Sequence, residues 1–400
     1  MDDLYKDREQ TAAKHVILRH YLQELALITL GGKDTSYPAL TYVDGFSGPW
    51  ESRCADYSDT SFMIAIGVLK DVQRQLAAKG ARPVIKCFFA EKKRSSFRQL
   101  YPAVRAHHDP SSGFHVETFN GQFQDAIPDI MSFAEGFTLT FIDPTGWTEY
   151  PFDEISALLT RRPGEVLVNY MYDFAGRFTS WNDPKIVASF NGILRPGWPE
   201  RIERDLPPAE AAEKLFRQEF KDAGGFQYVV STPIKKLAER THFCLTYGTR
   251  HWKGLEVYRS LERKALKGHD FRRFEAKLAK EEDETRPLFF TAADLHQTAT
   301  LDAQIEREKH AAAEWLLDAL RMKGRPIPFG QVSPWLLERF ALTFSEAKDV
   351  CVALADAGTI LPTWRDAGPR RRKPDKSDLI TLIPLVTSGG QVSLPAVSPA

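Results

Sequence analysis

The sequence predicts an α/β fold: a doubly wound, mostly parallel sheet of seven strands, followed by a smaller C-terminal unit. Three observations carry this. Five short apolar runs alternate with helical stretches between residues 40 and 170, the pattern of strand–helix units in a parallel sheet. The strongest run, Phe137–Ile142, is almost wholly apolar, as a central strand covered on both faces requires. Two further runs, Gln227–Thr232 and His242–Thr249, stand too close together for a crossover helix. They are expected to form an antiparallel hairpin.

Residues 11–30 read as a helix, with Ile17, Leu18, Tyr21, Leu22, Leu25 and Ile28 at helical spacing. Lys14 and His15 sit one turn before that stripe. They are either solvated first-turn residues, or Lys14 reaches a carboxylate or phosphate of a ligand. Strand one, Leu40–Val43, runs into Asp44-Gly45-Phe46-Ser47-Gly48-Pro49-Trp50. A carboxylate at a strand's carboxyl end, followed by glycines, is how many α/β proteins begin a nucleotide-type site. Asp-Gly is also an ordinary turn. A helix over Thr60–Ala78 leads to strand two, Pro83–Ala90, which ends at Glu91. An acid there offers two acceptor oxygens to the two ribose hydroxyls of a nucleotide ligand.

Strand three is Gly113–Thr118. Asn120 and Asp125 after it either meet a base edge or serve as turn and cap residues. Strand four ends in Asp143-Pro144-Thr145-Gly146-Trp147. Glu154–Leu159 is helical, and strand five is Glu165–Tyr170. Residues 175–225 read as an insertion that contains an amphipathic helix, Pro207–Phe220. Five alternating strands closed by an antiparallel pair form the pattern of class I S-adenosylmethionine (SAM) methyltransferases. A plain dinucleotide fold would end on another parallel strand.

The charged segment from Lys264 to Arg286 reads as a solvated helix and linker. The expected organisation is a methyltransferase-like domain over 1–285, a linker over 286–302, a second domain over 303–386 and a disordered tail from 387. In the second domain, helices over Glu306–Met322, Val332–Arg339 and Thr343–Ala357 precede two strands, Gly358–Leu361 and Leu379–Ile383. This is a winged-helix pattern. The hairpin tip carries Arg370, Arg371, Arg372, Lys373 and Lys376. Such a run is either a solvated loop or a phosphate contact.

Bulk properties narrow the classes. The chain is 43% hydrophobic and 26% charged, which is ordinary for a globular protein. Lys+Arg and Asp+Glu are both 53, so any nucleic-acid footprint must be local. The four cysteines form no CxxC motif and point to a reducing cytoplasm, with no metal site expected. The charged N-terminus reads as no signal peptide, and no apolar run approaches membrane-spanning length. The absence of GxGxxG disfavours a nicotinamide oxidoreductase, and only scattered acidic residues stand behind a nuclease.

The motifs together resemble the three-Cys-motif partner family (TcmP). They are Lys14-His15 with Ile17-Leu18 and Tyr21-Leu22; Tyr42 to Pro49; Phe89-Ala90-Glu91; Phe141 to Pro144 with Gly146-Trp147; and Tyr247-Gly248-Thr249-Arg250 with Gly254. The resemblance covers roughly residues 10–262. It implies a class I methyltransferase fold and a SAM site. Lys14 falls in the first matching motif. Asp44, Gly45, Phe46, Ser47 and Gly48 would shape the amino-acid end of SAM, and Glu91 would hold its ribose. Asn120 and Gly121 would lie by the adenine, and Asp143 and Pro144 by the reacting methyl. The family is named for a genomic partner, a radical-SAM-like protein that bears the cysteine motif. Trp50 stands where a glycine often closes the first loop.

Amino-directed nucleic-acid methyltransferases place a polar residue, a proline and an aromatic after strand four, where the aromatic stacks on an extruded base. Asp143, Pro144 and Trp147 supply these types, with Trp147 one place late. The alternative is that Asp143 caps the next segment and Trp147 packs on the sheet. Two functional classes follow. One is a SAM-dependent methyltransferase acting on nucleic acid, at an exocyclic amine. The other is a weakly catalytic or non-catalytic accessory protein that binds nucleic acid and works with the three-Cys-motif partner.

Overall fold

The computed structural model describes residues 5, 8–31, 37–49, 52–178, 183–236, 240–284, 299–368 and 371–383. Trp50, Trp181, Asn182, Arg370 and the tail from 387 lie outside these residues. The chain divides into two compact units, Met1–Ala299 and Thr300–Ala400.

Unit 1 opens with α1 (Glu9–Gly31) and then alternates: β1 (Ala39–Asp44), α2 (Ser61–Ala77), β2 (Val84–Ala90), α3 (Arg94–Arg105), β3 (Phe114–Phe119), α4 (Ile127–Phe133), β4 (Phe137–Ile142), α5 (Ser156–Leu159) and β5 (Gly164–Tyr170). A helical cluster follows: α6 (Tyr172–Phe178), α7 (Pro184–Ser189), α8 (Asn191–Leu194), α9 (Trp198–Arg201) and α10 (Pro208–Gly224). The unit closes with β6 (Tyr228–Lys235), β7 (Thr241–Thr249) and α11 (Trp252–Glu284). The seven strands form one sheet in the order β3-β2-β1-β4-β5-β7-β6. β1 to β5 pair in parallel, and β7 runs antiparallel to both β5 and β6. The architecture is a mostly parallel, Rossmann-like sheet closed by an antiparallel pair of strands.

Strand alternation sends side chains to two cores. Val43, Phe88, Ile142, Val168 and Tyr170 pack with Phe123, Ile155, Phe216 and Phe220 on one face. On the other face Tyr21 of α1 meets Tyr247, and Phe62 of α2 meets Phe89. There the carboxylate of Glu165 is buried and accepts hydrogen bonds from the hydroxyls of Tyr21 and of Thr249, the latter at 2.7 Å. These bonds tie α1 to β5 and β7, and so fix where the start of α1 lies.

The segment from Lys264 is helical as expected, but not wholly solvated. It continues α11, in which Tyr258, Leu261, Ala265, His269 and Arg273 are buried. His269 and Arg273 hydrogen-bond the carbonyls of Lys235 and Lys236 at 3.0 Å each. Polar residues of the charged stretch thus satisfy the end of β6. The helical cluster also starts earlier than expected, at Tyr172.

Unit 2 comprises α12 (Ala299–Lys323), β8 (Ile327–Pro328), α13 (Phe329–Arg339), α14 (Phe344–Asp356) and β9 (Leu379–Ile380). α12 begins inside the stretch expected to be linker. Thr343 and Glu346 form a reciprocal capping box at the start of α14. The expected antiparallel pairing of 358–361 with 379–383 is present, and β8 joins it as a partner not expected. β9 pairs antiparallel with β8, and Gly358–Leu361 joins through one bridge, Ile360 to Leu382. The flanking prolines hid β8, because proline fits a strand only where no ladder N–H is needed.

Candidate functional site

The winding of the sheet reverses between β1 and β4, and open α/β sheets bind ligands at the carboxyl strand ends beside that point. A cleft of about 730 Å³ lies there, a size suited to a small ligand. It is lined by Lys14 and His15 of α1, Gly45, Phe46 and Gly48 after β1, and Glu91 after β2. Gly121, Gln122 and Phe123 after β3, Asp143 and Pro144 after β4, Asn169 and Met171, and His242 and Phe243 of β7 complete that wall.

Asp143 lines the cleft with two partners. The ammonium of Lys14 reaches its Oδ2 at 2.5 Å, and the amide of Asn169 donates to its Oδ1 at 2.7 Å. Lys14 therefore meets a carboxylate of the chain itself. Each carboxylate oxygen carries two lone pairs, so Asp143 retains capacity to accept one more donor. Orienting the Asn169 amide toward Asp143 leaves its Oδ1 buried and without a partner. Such a buried polar atom normally finds a partner.

Asp44 and Ser47 are buried framework beneath the cleft. The Asp44 carboxylate accepts the Phe46 N–H at 3.0 Å and the Ser61 hydroxyl at 2.9 Å. Ser47 donates its hydroxyl to the Asp44 carbonyl at 3.0 Å and its N–H to Ala90 at 2.9 Å. Burial pushes the Asp44 carboxyl up to about 6. Gly45 is required by close approach: a Cβ there would stand 2.6 Å from the Phe123 ring.

Glu91 is 5% exposed at the rim of the cleft. One oxygen accepts the Lys93 N–H at 2.6 Å. Burial raises its pKa. The Asn120 amide donates to the Glu91 carbonyl at 2.8 Å. Asn120 thus ties the loop after β3 to the end of β2, while Gly121, Gln122 and Phe123 form the wall. Asp125 is exposed in a short 3-10 turn and is not part of the lining.

Trp147 does not line the cleft either. Its ring stacks on Phe190 at 4.9 Å, nearly parallel, and its indole N–H donates to Ser189 at 2.9 Å. The helical cluster after β5 supplies both partners. A sequence reading of strand four alone has no means of seeing them, so the expected base-stacking place for Trp147 is corrected to a packing one.

The sequence reading passed over Asn169, Met171, His242, Phe243, Arg8 and Asp59. Asn169 is the last residue but one of β5 (Gly164–Tyr170), one place short of where a strand-end rule looks. His242 and Phe243 arrive only through the antiparallel pairing of β7 with β5. The charges of the cleft are largely matched: Arg8 pairs with Asp59 at 3.2 Å and Lys92 with Glu149 at 3.7 Å. His15 is buried, accepts or donates to Tyr5 at 3.1 Å, and is pushed down to about 3 by burial. Among the described residues no group of three or more His, Cys, Asp or Glu side chains is arranged for a metal ion. No described helix is long and apolar enough to cross a membrane.

The unit 2 tip is more self-contained than its sequence suggests. Arg371 pairs with Asp378 at 2.8 Å and Lys373 with Asp349 at 2.6 Å. Lys376 lies 5.8 Å from the Phe344 ring centre, and Arg372 is exposed.

No family model matches the chain, and no curated protein does. Solved structures similar to it include two of low identity. One is a DUF519-family protein of Legionella pneumophila str. Philadelphia 1, at 14% identity over 59% of this chain and 85% of that one, with a TM-score of 0.32. The other is the O-methyltransferase TomG of Streptomyces achromogenes, involved in tomaymycin synthesis and solved with SAM. It is 15% identical over 58% of this chain and 79% of that one, with a TM-score of 0.31. Neither likeness bears on what the cleft binds.

Proposed function

We propose that unit 1 is a SAM-dependent methyltransferase domain. The observation that supports this best is the convergence of Glu91, Asp143 and Asn169 on one cleft at the reversal point of a sheet with an antiparallel β7. The donor and acceptor set fits SAM. Glu91 keeps an oxygen for ribose hydroxyls, Phe46 and Phe123 give an apolar wall beside Gly121, and Asn169 has an unpartnered buried oxygen. When bound, SAM supplies an activated methyl group on a cationic sulfur. The chain's own task is then to orient the acceptor and exclude water. Titration calorimetry of the full chain with SAM is expected to give saturable binding. No heat of binding at millimolar SAM overturns the proposal.

The acceptor in this reading is nucleic acid, and an exocyclic amine suits Asp143 as hydrogen-bond acceptor beside Pro144. The three-helix unit 2, read as a winged helix, with Arg371, Arg372, Lys373 and Lys376 on its tip, supports it. Alanine at these four positions is expected to weaken DNA or RNA binding in gel shifts and to flatten its salt dependence. Unchanged binding removes the tip from the account. The second reading is the TcmP-like accessory protein with a radical-SAM-like partner. It is favoured by the engagement of both Asp143 oxygens and by the packing of Trp147 away from the cleft.

A further inference from the structure

We propose that His242 is the base that removes the acceptor's proton, held by Asp173 as a positioning residue, so that the acceptor atom is a nitrogen or oxygen bearing a hydrogen. The inference rests on the methyltransferase reading above.

On the Asp143 side of the cleft the other polar groups are poorly placed for this task. Lys14 is held by Asp143 and has only donors to offer. Asp143 has one oxygen against Lys14 and the other against Asn169. Asn169 does not titrate. His242 lines the same cleft. Its Nδ1 is buried, makes no hydrogen bond and lies 4.0 Å from Asp173 Oδ2. A small ring movement closes that gap, and catalytic hydrogen bonds often tighten only when a ligand is bound. With Nδ1–H toward Asp173, the lone pair on Nε2 is the accepting site. Asp173 is itself fixed by Arg240 at 2.6 Å and Arg177 at 3.4 Å.

The charged groups around the ring come from four places. Lys14 projects from α1, Asp173 and Arg177 from α6, Lys236 directly follows β6 and Arg240 directly precedes β7. Burial, then Lys236, lowers the His242 pKa from its ordinary value, and Asp173 opposes them. The ring is therefore neutral at neutral pH and ready to accept. In the transfer the acceptor atom's lone pair would form the bond to the methyl carbon while the pair of the carbon–sulfur bond leaves with the sulfur as a neutral thioether; the acceptor's bond to hydrogen then breaks and that bonding pair stays on the acceptor. The proton passes to Nε2, and the imidazolium then releases it to water.

Nitrogen-15 NMR of the His242 ring in the full chain, without SAM, tests this directly. The expected result is an Nδ1–H tautomer with an unprotonated Nε2 and a midpoint below that of an exposed histidine. In Asp173→Asn the midpoint is expected to fall further, because a carboxylate that favours the imidazolium is gone and its arginines remain. An Nε2–H tautomer, or a midpoint unmoved by Asp173→Asn, overturns the proposal. A second arm follows tritiated methyl transfer to plasmid DNA and to total RNA. His242→Gln is expected to lose about 100-fold in rate with SAM binding retained. Transfer within twofold of the unsubstituted chain sinks the role of His242 alone. Absence of SAM binding in the unsubstituted chain sinks the methyltransferase reading and this inference together.

Discussion

In the cleft of unit 1, Lys14 and Asp143 meet at 2.5 Å from positions 129 residues apart. At the tip of unit 2, Arg371 meets Asp378 at 2.8 Å from seven residues away. The cleft pair is 12% and 15% exposed in its side chains, whereas Arg371 and Asp378 are 33% and 13% exposed and a second tip pair, Lys373 with Asp349 at 2.6 Å, is 43% and 39% exposed. Water screens the Lys373–Asp349 pair more than the cleft pair. Removing one partner in the cleft therefore strands a charge, while removing one at the tip hands it to solvent. A conspicuous run of charge in a sequence and a consequential charge in a fold are thus different things. The run at 370–376 is easily read, yet its described members are partly spent on neighbouring acids. The consequential pair is assembled by topology.

Asp143→Ala is the sharpest way to break this contrast. It is expected to reduce methyl transfer by about 100-fold or more, since an aligned acceptor is most of what the site contributes, while SAM binding survives in calorimetry. The same change should lower stability by about 2 kcal/mol in urea titration, less than a fully buried pair would lose because Lys14 keeps some water. A stability loss indistinguishable from zero would place the cleft pair with the surface pairs.

Asp44→Asn probes the framework under the cleft through pH. The folded-state pKa of Asp44, about 6, lies above its unfolded value. Its contribution is therefore fully present below the unfolded pKa, near pH 4, and is lost as pH rises through about 6. The loss is on the order of 3 kcal/mol for a shift of about two units. Urea midpoints measured across that window should fall for the unsubstituted chain relative to Asp44→Asn. Parallel curves would show that Asp44 does not titrate there.

Lys373→Ala should have the smallest effect. A screened pair of this exposure is worth less than about 1 kcal/mol, so the melting transition of unit 2 should hardly move. A larger loss would mean that the tip is a structural element and not an open surface.

Much of the sheet was legible because each strand carries a local signal. The apolar run Phe137–Ile142 needs no partner to declare itself, and the short 227–249 stretch forbids a crossover. Asp44, Glu91 and Asp143 were legible as strand-end acids for the same local reason. Their division of labour was not: Asp44 is fully buried and does not line the cleft, whereas Glu91 and Asp143 do, with partners in Lys93 for the one and Lys14 and Asn169 for the other. Trp147 and the 264–273 stretch were misread because their partners, Phe190 and the end of β6, are distant in sequence.

By itself, then, the sequence determined strand periodicity, the antiparallel closure and the residue types at the strand ends, since all three depend on spacing along the chain. Tertiary structure alone decided that Lys14, Asp143 and Asn169 form one cluster and that His242 faces it. The physical reason is that burial and pairing are properties of groups brought together by the reversal of the sheet, and no window along the chain contains them.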